Sequence, residues 1–449
     1  MINKKKLLIA SLGTVGGLAV VVIAGFMIVG PMVYDAKLPN VLNLIEKKVP
    51  GLNLSYEETS SGLFSREGIV HWSFPLSEGN VFNLDELSGN TLLKVVFSPF
   101  WVNGEFHGEK GGTIDALLEQ NLISGFAYQG AFKVTVLPPE VNLAVKTDNL
   151  ALGLEDGKCS VGQSALYASA SSFNSVDLEF NAAGFNCKSD LEYAGQSAYT
   201  VKLEGLNVKA NPTYINKTAG LRSLTFGLAD FNADFSTIYA IGFSPEDDVH
   251  DPSLREYVSM QRVGAVLEIE DPDKDGFSEV TSDGSGNFAF AFPFVEYGEL
   301  REVTRFNDFK YNFSLGKVNL KELIKAINVP EKEAMVQALK AVGNNVQFKL
   351  NNLSSSYKND GFVINGTAGA LIDKEKFRVK DIHADFDVKS GKEFTDYLVR
   401  KEHSDLISSS LAEGKITFED PYYVTEFKLK NGDVTLNGVP FKADADDED

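Results

Sequence analysis

Phe427-Lys428-Leu429-Lys430-Asn431-Gly432-Asp433-Val434-Thr435-Leu436 is the stretch whose reading decides the fold. Apolar Phe427 and Leu429 alternate with lysines, Val434 and Leu436 resume the alternation, and Asn-Gly stands between them. Side chains of a strand point alternately to opposite faces, so period two means one apolar and one polar face. Asn-Gly supplies two residues that tolerate positive φ, as a type I′ hairpin requires. The segment therefore predicts an antiparallel hairpin with one wet face.

The same period recurs up the chain. Val70, Trp72 and Phe74 alternate with His71 and Ser73, and Phe132, Val134 and Val136 with Lys133 and Thr135. Val176, Leu178 and Phe180 follow, then Val201 and Leu203, then Phe288, Phe290 and Phe292. Val346, Phe348 and Leu350, and Ile382, Ala384, Phe386 and Val388, lead back to Phe427. Asn103-Gly104 and Asn365-Gly366 read as further hairpin turns of the same kind. Helical spacing is confined to Thr113–Ile123, Leu320–Ile327, Glu331–Val342 and Glu393–Ala412, with Pro330 and Gly343 flanking the third. The expected fold is a mainly β, α+β body of antiparallel sheets with a few short helices.

Residues 7–33 carry no charge and follow Lys4, Lys5 and Lys6. About 20 apolar residues suffice for a helix to cross a bilayer, and the lysines place the N-terminus on the cytoplasmic side. Val29 to Val33 offer a poor cleavage site, so the span reads as a retained signal anchor. The expected organisation is a cytoplasmic end at 1–6, the anchor at 7–33 and a stalk at 34–50. A β-rich periplasmic region at 51–310 follows, then a C-terminal β region with short helices at 311–442 and an acidic tail at 443–449. Gly13 and Gly17 form a small-xxx-small pair that permits a dimer within the membrane. With 42 Lys+Arg against 62 Asp+Glu the chain is strongly acidic, which disfavours a nucleic-acid partner.

Cys159 and Cys187 are the only cysteines, and an even count outside the cytoplasm favours a disulfide between them. Asp271-Pro272-Asp273-Lys274-Asp275-Gly276-Phe277-Ser278-Glu279 places acids at positions 1, 3, 5 and 9 and glycine at 6 of a calcium-loop pattern. Position 12 is Ser282 and the flanks read as strands, so no EF-hand forms. Two readings stand: a solvated acidic turn, or a weak structural calcium site at Asp271, Asp273, Asp275 and Glu279, calcium being the one cofactor the sequence suggests. Gly284-Ser285-Gly286-Asn287-Phe288-Ala289 has the letters of a dinucleotide fingerprint but leads into alternating residues, and is read as a turn. His250 lies among Glu246, Asp247 and Asp248, and His383 lies between Asp381 and Asp385; each is a candidate base beside its carboxylates. The chain contains no His-Glu-x-x-His, Gly-x-Ser-x-Gly or Walker motif.

Leu52-Asn53-Leu54-Ser55-Tyr56 with Gly62-Leu63-Phe64-Ser65, soon after the apolar N-terminus, resembles the opening of the YdgA-like bacterial family. The run from Phe427 to Gly438 is similar to the strand, turn and strand that close those proteins. Phe97-Ser98-Pro99-Phe100-Trp101 stands where that family often has a His-Gly-Pro-Phe-Pro-like element. The resemblance implies a protein of unknown activity, anchored in a Gram-negative inner membrane, with a large periplasmic part and no catalytic residues to carry over. The expectation is a non-enzymatic envelope protein that binds a lipid or protein partner through an apolar sheet surface, with a periplasmic hydrolase using carboxylates and a histidine as the alternative.

Overall fold

A computed structural model of the 449-residue chain describes residues 46, 51–76, 84–154, 157–172, 175–193, 196–215, 218–236, 255–291, 304–327, 331–373, 375, 378–399 and 404–441. The anchor with Gly13 and Gly17, most of the stalk, His250, Phe292 and the acidic tail lie outside the described residues. No helix among the described residues is long and apolar enough to cross a membrane. The chain divides into two compact units. The first holds residues 1–217, 228–259 and 291–302; the second holds 218–227, 260–290 and 303–449.

In the first unit β1 (Asn53–Gly62), β2 (Ser65–Pro75), β3 (Glu86–Phe97) and β4 (Trp101–Glu109) run as an antiparallel meander. A short helix, α1 (Gly112–Glu119), and β5 (Ile123–Ser124) precede β6 (Tyr128–Thr135), which pairs back onto β4. Next come β7 (Glu140–Thr147), β8 (Leu150–Leu154), β9 (Gly157–Val161), β10 (Ser164–Ser172) and β11 (Ser175–Ser189). The small hairpin β12 (Glu192–Tyr193) and β13 (Gln196–Ser197) leads to β14 (Tyr199–Ile215), which pairs with β11. The strands break at one common level. Asp148 donates to Ala127 O, Ala183 to Gln163 O and Gly162 to Gly184 O, so hydrogen bonding is carried across the interruptions. Beyond that line β5, β8, β9 and the end of β11 pair with one another.

Residues from both sides of the break share one core. Phe106, Val95, Val70, Trp72 and Phe132 from the main sheet meet Ile123, Leu152, Cys159 and Cys187 from beyond it, with Ile114 and Leu117 of α1. Each fully buried apolar side chain contributes about 1.5–3 kcal/mol. The buried Tyr128 hydroxyl is satisfied by Thr91 Oγ1 at 2.6 Å, the Trp72 indole N–H at 3.3 Å and the Asn90 carbonyl at 3.2 Å. Burial nonetheless pushes its pKa up. Cys159 and Cys187 face each other directly across β9 and β11, with Cα atoms 4.0 Å apart, and form the disulfide.

Two strands contribute a stretch to each unit: β15 (Thr218–Ser236) and β16 (Arg255–Ile269). The second unit continues with β17 (Ser278–Ala291), β18 (Thr304–Val318), α2 (Leu320–Ile327), α3 (Glu331–Ala341), β19 (Val342–Tyr357), β20 (Asp360–Asp373) and β21 (Arg378–Gly391). It closes with α4 (Lys392–Leu398), α5 (Ser404–Ala412), β22 (Thr417–Glu419), β23 (Tyr422–Lys430), β24 (Asp433–Leu436) and β25 (Val439–Phe441). β17 to β21 pair in succession, β21 pairs with β23, and β23 to β25 follow; every one of these pairs is antiparallel. Asn431 and Gly432 have φ 54° and 94°, the conformation expected of their hairpin, and Asn437 and Gly438 repeat it at 50° and 76°.

Several expectations change. Asn103-Gly104 is no turn but the middle of β4, because a Cβ at Gly104 would sit 2.0 Å from the Phe132 ring that covers it. Asn365-Gly366 lies within β20, where Gly366 has φ 154° and no room toward Asp385 and Phe386. Gly284 to Ala289 belong to β17 rather than a turn. The helix expected over 113–123 ends at Glu119, and that expected over 393–412 is described as two, α4 and α5. The expected boundary at 310 falls inside β18.

Gly104→Ala is expected to cost about 1–3 kcal/mol through overpacking against Phe132, read by chemical denaturation. Replacing Cys159 and Cys187 together by serine is expected to cost about 3 kcal/mol by the same measurement, since a loop of that length loses its cross-link.

Candidate functional site

Strand register in the second unit assembles a surface that no single strand contains. One row runs Ser282, Phe313, Leu350, Gly366, Phe386, Phe427, Leu436, Val439, each directly opposite the next. The neighbouring row runs Val280, Leu315, Phe348, Ala368, Ala384, Leu429, Val434, Phe441. On the other side of the first lie Tyr311, Leu353, Ile364, Val388 and Thr425. No position in these rows is charged. Eight strands about 4.8 Å apart make the strip about 34 Å long.

The opposite face is the polar complement. Ser314, Lys349, Thr367, Asp385, Lys428 and Thr435 form one row there, with Lys428 pairing with Glu426 at 2.5 Å and lying 3.8 Å from Asp385. The Lys428 ammonium has its pKa raised, first by the Glu426 hydrogen bond and then by the surrounding carboxylates.

The two margins of the strip, at opposite ends of its strands, are covered. Leu323 of α2 and Leu315 both pack against the cluster of Ile269, Val280 and Val318 at one margin. At the other, Asp360 caps α4 by accepting the N–H groups of Glu393 and Phe394 at 2.7 and 3.3 Å. That seats Phe394 on Phe362, with ring centroids 4.8 Å apart, and against Phe306 and Tyr357. Phe290 stacks on Phe306 and so belongs to this aromatic plug, while Phe288 meets Phe309 edge-on. Between the covered margins Phe313, Phe348, Leu350, Ile364, Phe386, Val388, Phe427 and Leu429 are half-buried. Among the described residues the first unit has a core cluster of twenty buried side chains, and the second a cluster of three, Ile269, Val280 and Val318.

The acidic segment forms the turn between β16 and β17, and its carboxylates are drawn in different directions. Asp273 accepts the backbone N–H of Asp275 and Phe277 at 3.0 and 2.9 Å and the Lys317 ammonium at 2.9 Å. Asp271 takes both forks of Arg222 at 3.2 Å. Among the described residues no group of three or more His, Cys, Asp or Glu is arranged to hold a metal ion. The Asp273 carboxyl is held below its ordinary pKa, chiefly by the Phe277 N–H and then by Lys317. His383 lies on the polar face over Gly369, and no hydrogen bond joins it to Asp381 or Asp385.

A shallow trough of about 550 Å³ crosses the polar face of the first unit, lined by Glu105, Lys133, Asn142, Tyr167, Asp177 and Glu179 among others. Glu179 is held low by Asn181, with Lys209 and Asn207 adding to the effect. It is therefore a poor proton donor, and no histidine lines the trough.

Compared with known protein families, with curated proteins and with solved structures, the chain matches none.

Period two picks out the strip members on β19, β21, β23 and β24, but not those on β17, β18, β20 and β25, although Tyr311 and Phe313 alternate with Lys310 and Asn312 and carry the same signal. Only register shows that Phe313, Phe386 and Phe427 share a row. Because the native pKa of Asp273 is depressed, its contribution to stability is present above the ordinary carboxylate pKa and lost as pH falls through the native value. An acid titration followed by NMR is expected to place Asp273 below the ordinary aspartate value, and Lys317→Ala to raise it.

Proposed function

We propose that this chain is a non-enzymatic, membrane-anchored envelope protein of the YdgA-like kind, which holds the acyl chains of a lipid on the open strip of its second unit. The observation that carries the reading is the strip itself: two uncharged apolar rows over eight strands, only half-buried between margins closed by α2 and α4. Monomeric proteins seldom leave an apolar surface of this extent to water. An acyl chain spans half of a ~30 Å bilayer core, about 15 Å, so the strip accommodates one lying across the strands. Its middle combines small side chains at Gly366, Ala368 and Ala384 with the rings of Phe348, Phe386 and Phe427. Residues 7–33 would hold the body at a membrane, where such lipids are available, and the Cys159–Cys187 disulfide suits an oxidising periplasm.

The test is lipid analysis of the full-length protein purified in mild detergent. Wild type is expected to carry phospholipid or fatty acid in near-stoichiometric amount. Phe386→Asp with Phe427→Asp should reduce it by about tenfold or more, since two adjacent carboxylates would stand in the middle of the apolar row. Asp385→Asn, on the polar face, should leave it unchanged. Equal lipid in wild type and a folded, disulfide-bonded double variant would remove the strip as the binding surface.

A further inference from the structure

The Gly62-Leu63-Phe64-Ser65 segment and the Phe97 to Trp101 segment, distant in sequence, come together at one end of the first unit. The β1–β2 turn, the β3–β4 turn and the β6–β7 turn lie side by side, because Ser65 pairs with Val96 and Trp101 with Thr135. Phe97 N–H donates to the Phe64 carbonyl at 3.0 Å, and Val136 N–H to the Phe100 carbonyl at 2.9 Å, tying the three turns into one ridge. Along it stand Leu63, Phe64, Phe100, Val136 and Leu137, exposed by 83, 57, 63, 56 and 76%. With strands about 4.8 Å apart, the ridge is about 20 Å long.

We propose that this ridge inserts into the surface of a phospholipid bilayer. Three features select lipid over a protein partner. The tips hold no charge across 62–65, 98–100 and 136–139, although the chain as a whole is strongly acidic. Their shape is convex, a line of single large side chains, where a protein interface would bring a flat patch or pocket. Much of their polar backbone is already partnered. Besides the two inter-turn bonds, Ser98 N–H donates to Trp101 O at 2.8 Å, and Ser98 Oγ accepts from Phe100 and Trp101 N–H at 3.2 Å. Thr135 donates to Pro138 O at 2.7 Å, and Arg66 to Gly62 O at 2.6 Å. Pro99, Pro138 and Pro139 bring no N–H at all. Peptide groups entering hydrocarbon without partners would cost several kcal/mol each, and this arrangement avoids much of that cost. Trp101 stands at the foot of the ridge and Arg66 behind it, the positions at which indole and guanidinium groups meet the headgroup layer.

This inference is independent of the strip, and Phe386→Asp should not affect it. The chain has two tryptophans, Trp72 buried in the core and Trp101 on the ridge, so fluorescence reports the contact directly. The full-length protein is reconstituted into vesicles of brominated phosphatidylcholine in one arm. In the other it is placed in plain vesicles and mixed with separate brominated ones. Quenching is expected in at least one arm, the pair distinguishing the membrane that carries the protein from a second one. Trp101→Phe should remove the quenched component and leave Trp72 emission. Leu63→Asp, Phe100→Asp and Leu137→Asp combined should weaken the contact by about a hundredfold or more. All three side chains are more than half exposed, so the variant should melt like wild type. No quenching in either arm, or quenching that survives in the triple variant, would overturn the proposal.

Discussion

Every strand in this protein exists because the next one accepts its hydrogen bonds. A chain built so largely of strand must find a partner for each backbone N–H and C=O that it takes out of water, and a neighbour in sequence is the least costly partner to reach. The β1 to β4 and β17 to β21 meanders follow from that constraint, as do the Asn431-Gly432 and Asn437-Gly438 turns that return the chain at once. Register then becomes the strongest specification in the molecule, since a slip of one residue would carry Phe386 and Phe427 to the side of Asp385 and Lys428.

Having made one apolar face per sheet, the two units treat it differently. In the first, strands interrupted at a common level bring Ile123, Leu152, Cys159 and Cys187 to the same core as Phe106 and Trp72, and α1 fills the remainder. The disulfide sits among these residues, where its cross-strand position ties β9 to β11. In the second unit α2 and α4 are placed at opposite ends of the strands. Leu323 and Phe394 close the margins, and the middle rows are left with hydrocarbon on one side only. The cohesion of that sheet rests on its ladders and on side-by-side aromatic contacts such as Tyr311 with Phe313 and Phe313 with Phe348, at 5.9 and 5.8 Å.

What could be read from the sequence was the local part. Alternation at Phe348, Phe386 and Phe427 identified strands and their inner faces, and Asn431-Gly432 identified a hairpin, because both properties are set within a few residues. Asn103-Gly104 and Asn365-Gly366 carry the same letters and lie within strands. Their glycines answer to a neighbour, Phe132 in one case and the Asp385–Phe386 backbone in the other, and nothing local distinguishes the two uses. The acidic segment is a similar lesson. Acids at alternate positions suit a cation equally well as ligands or as acceptors for a turn's own amides. Asp273 became the second because the chain closes on it within four residues and Lys317 arrives from β18. The candidate site was the least legible feature, since a row such as Phe313, Leu350, Phe386 and Phe427 exists only once four strands are in register.

The strip and the ridge are two outcomes of one physical problem. A folded chain can present hydrocarbon to a lipid only if the backbone beneath is already satisfied, because lipid offers no hydrogen bonds in return. Along the strip each strand's amides are spent on its neighbours, so the whole surface is free to be apolar. A turn has no such neighbour on its open side. At the ridge the deficit is met by proline, by the Ser98 and Thr135 hydroxyls, by Arg66 and by bonds from one turn to the next. That explains why the most exposed leucines and phenylalanines described in the first unit, Leu63, Leu137, Phe64 and Phe100, are gathered on turns that are tied together, and why the uncharged segments 62–65, 98–100 and 136–139 are rich in the residues that leave few amides unpartnered.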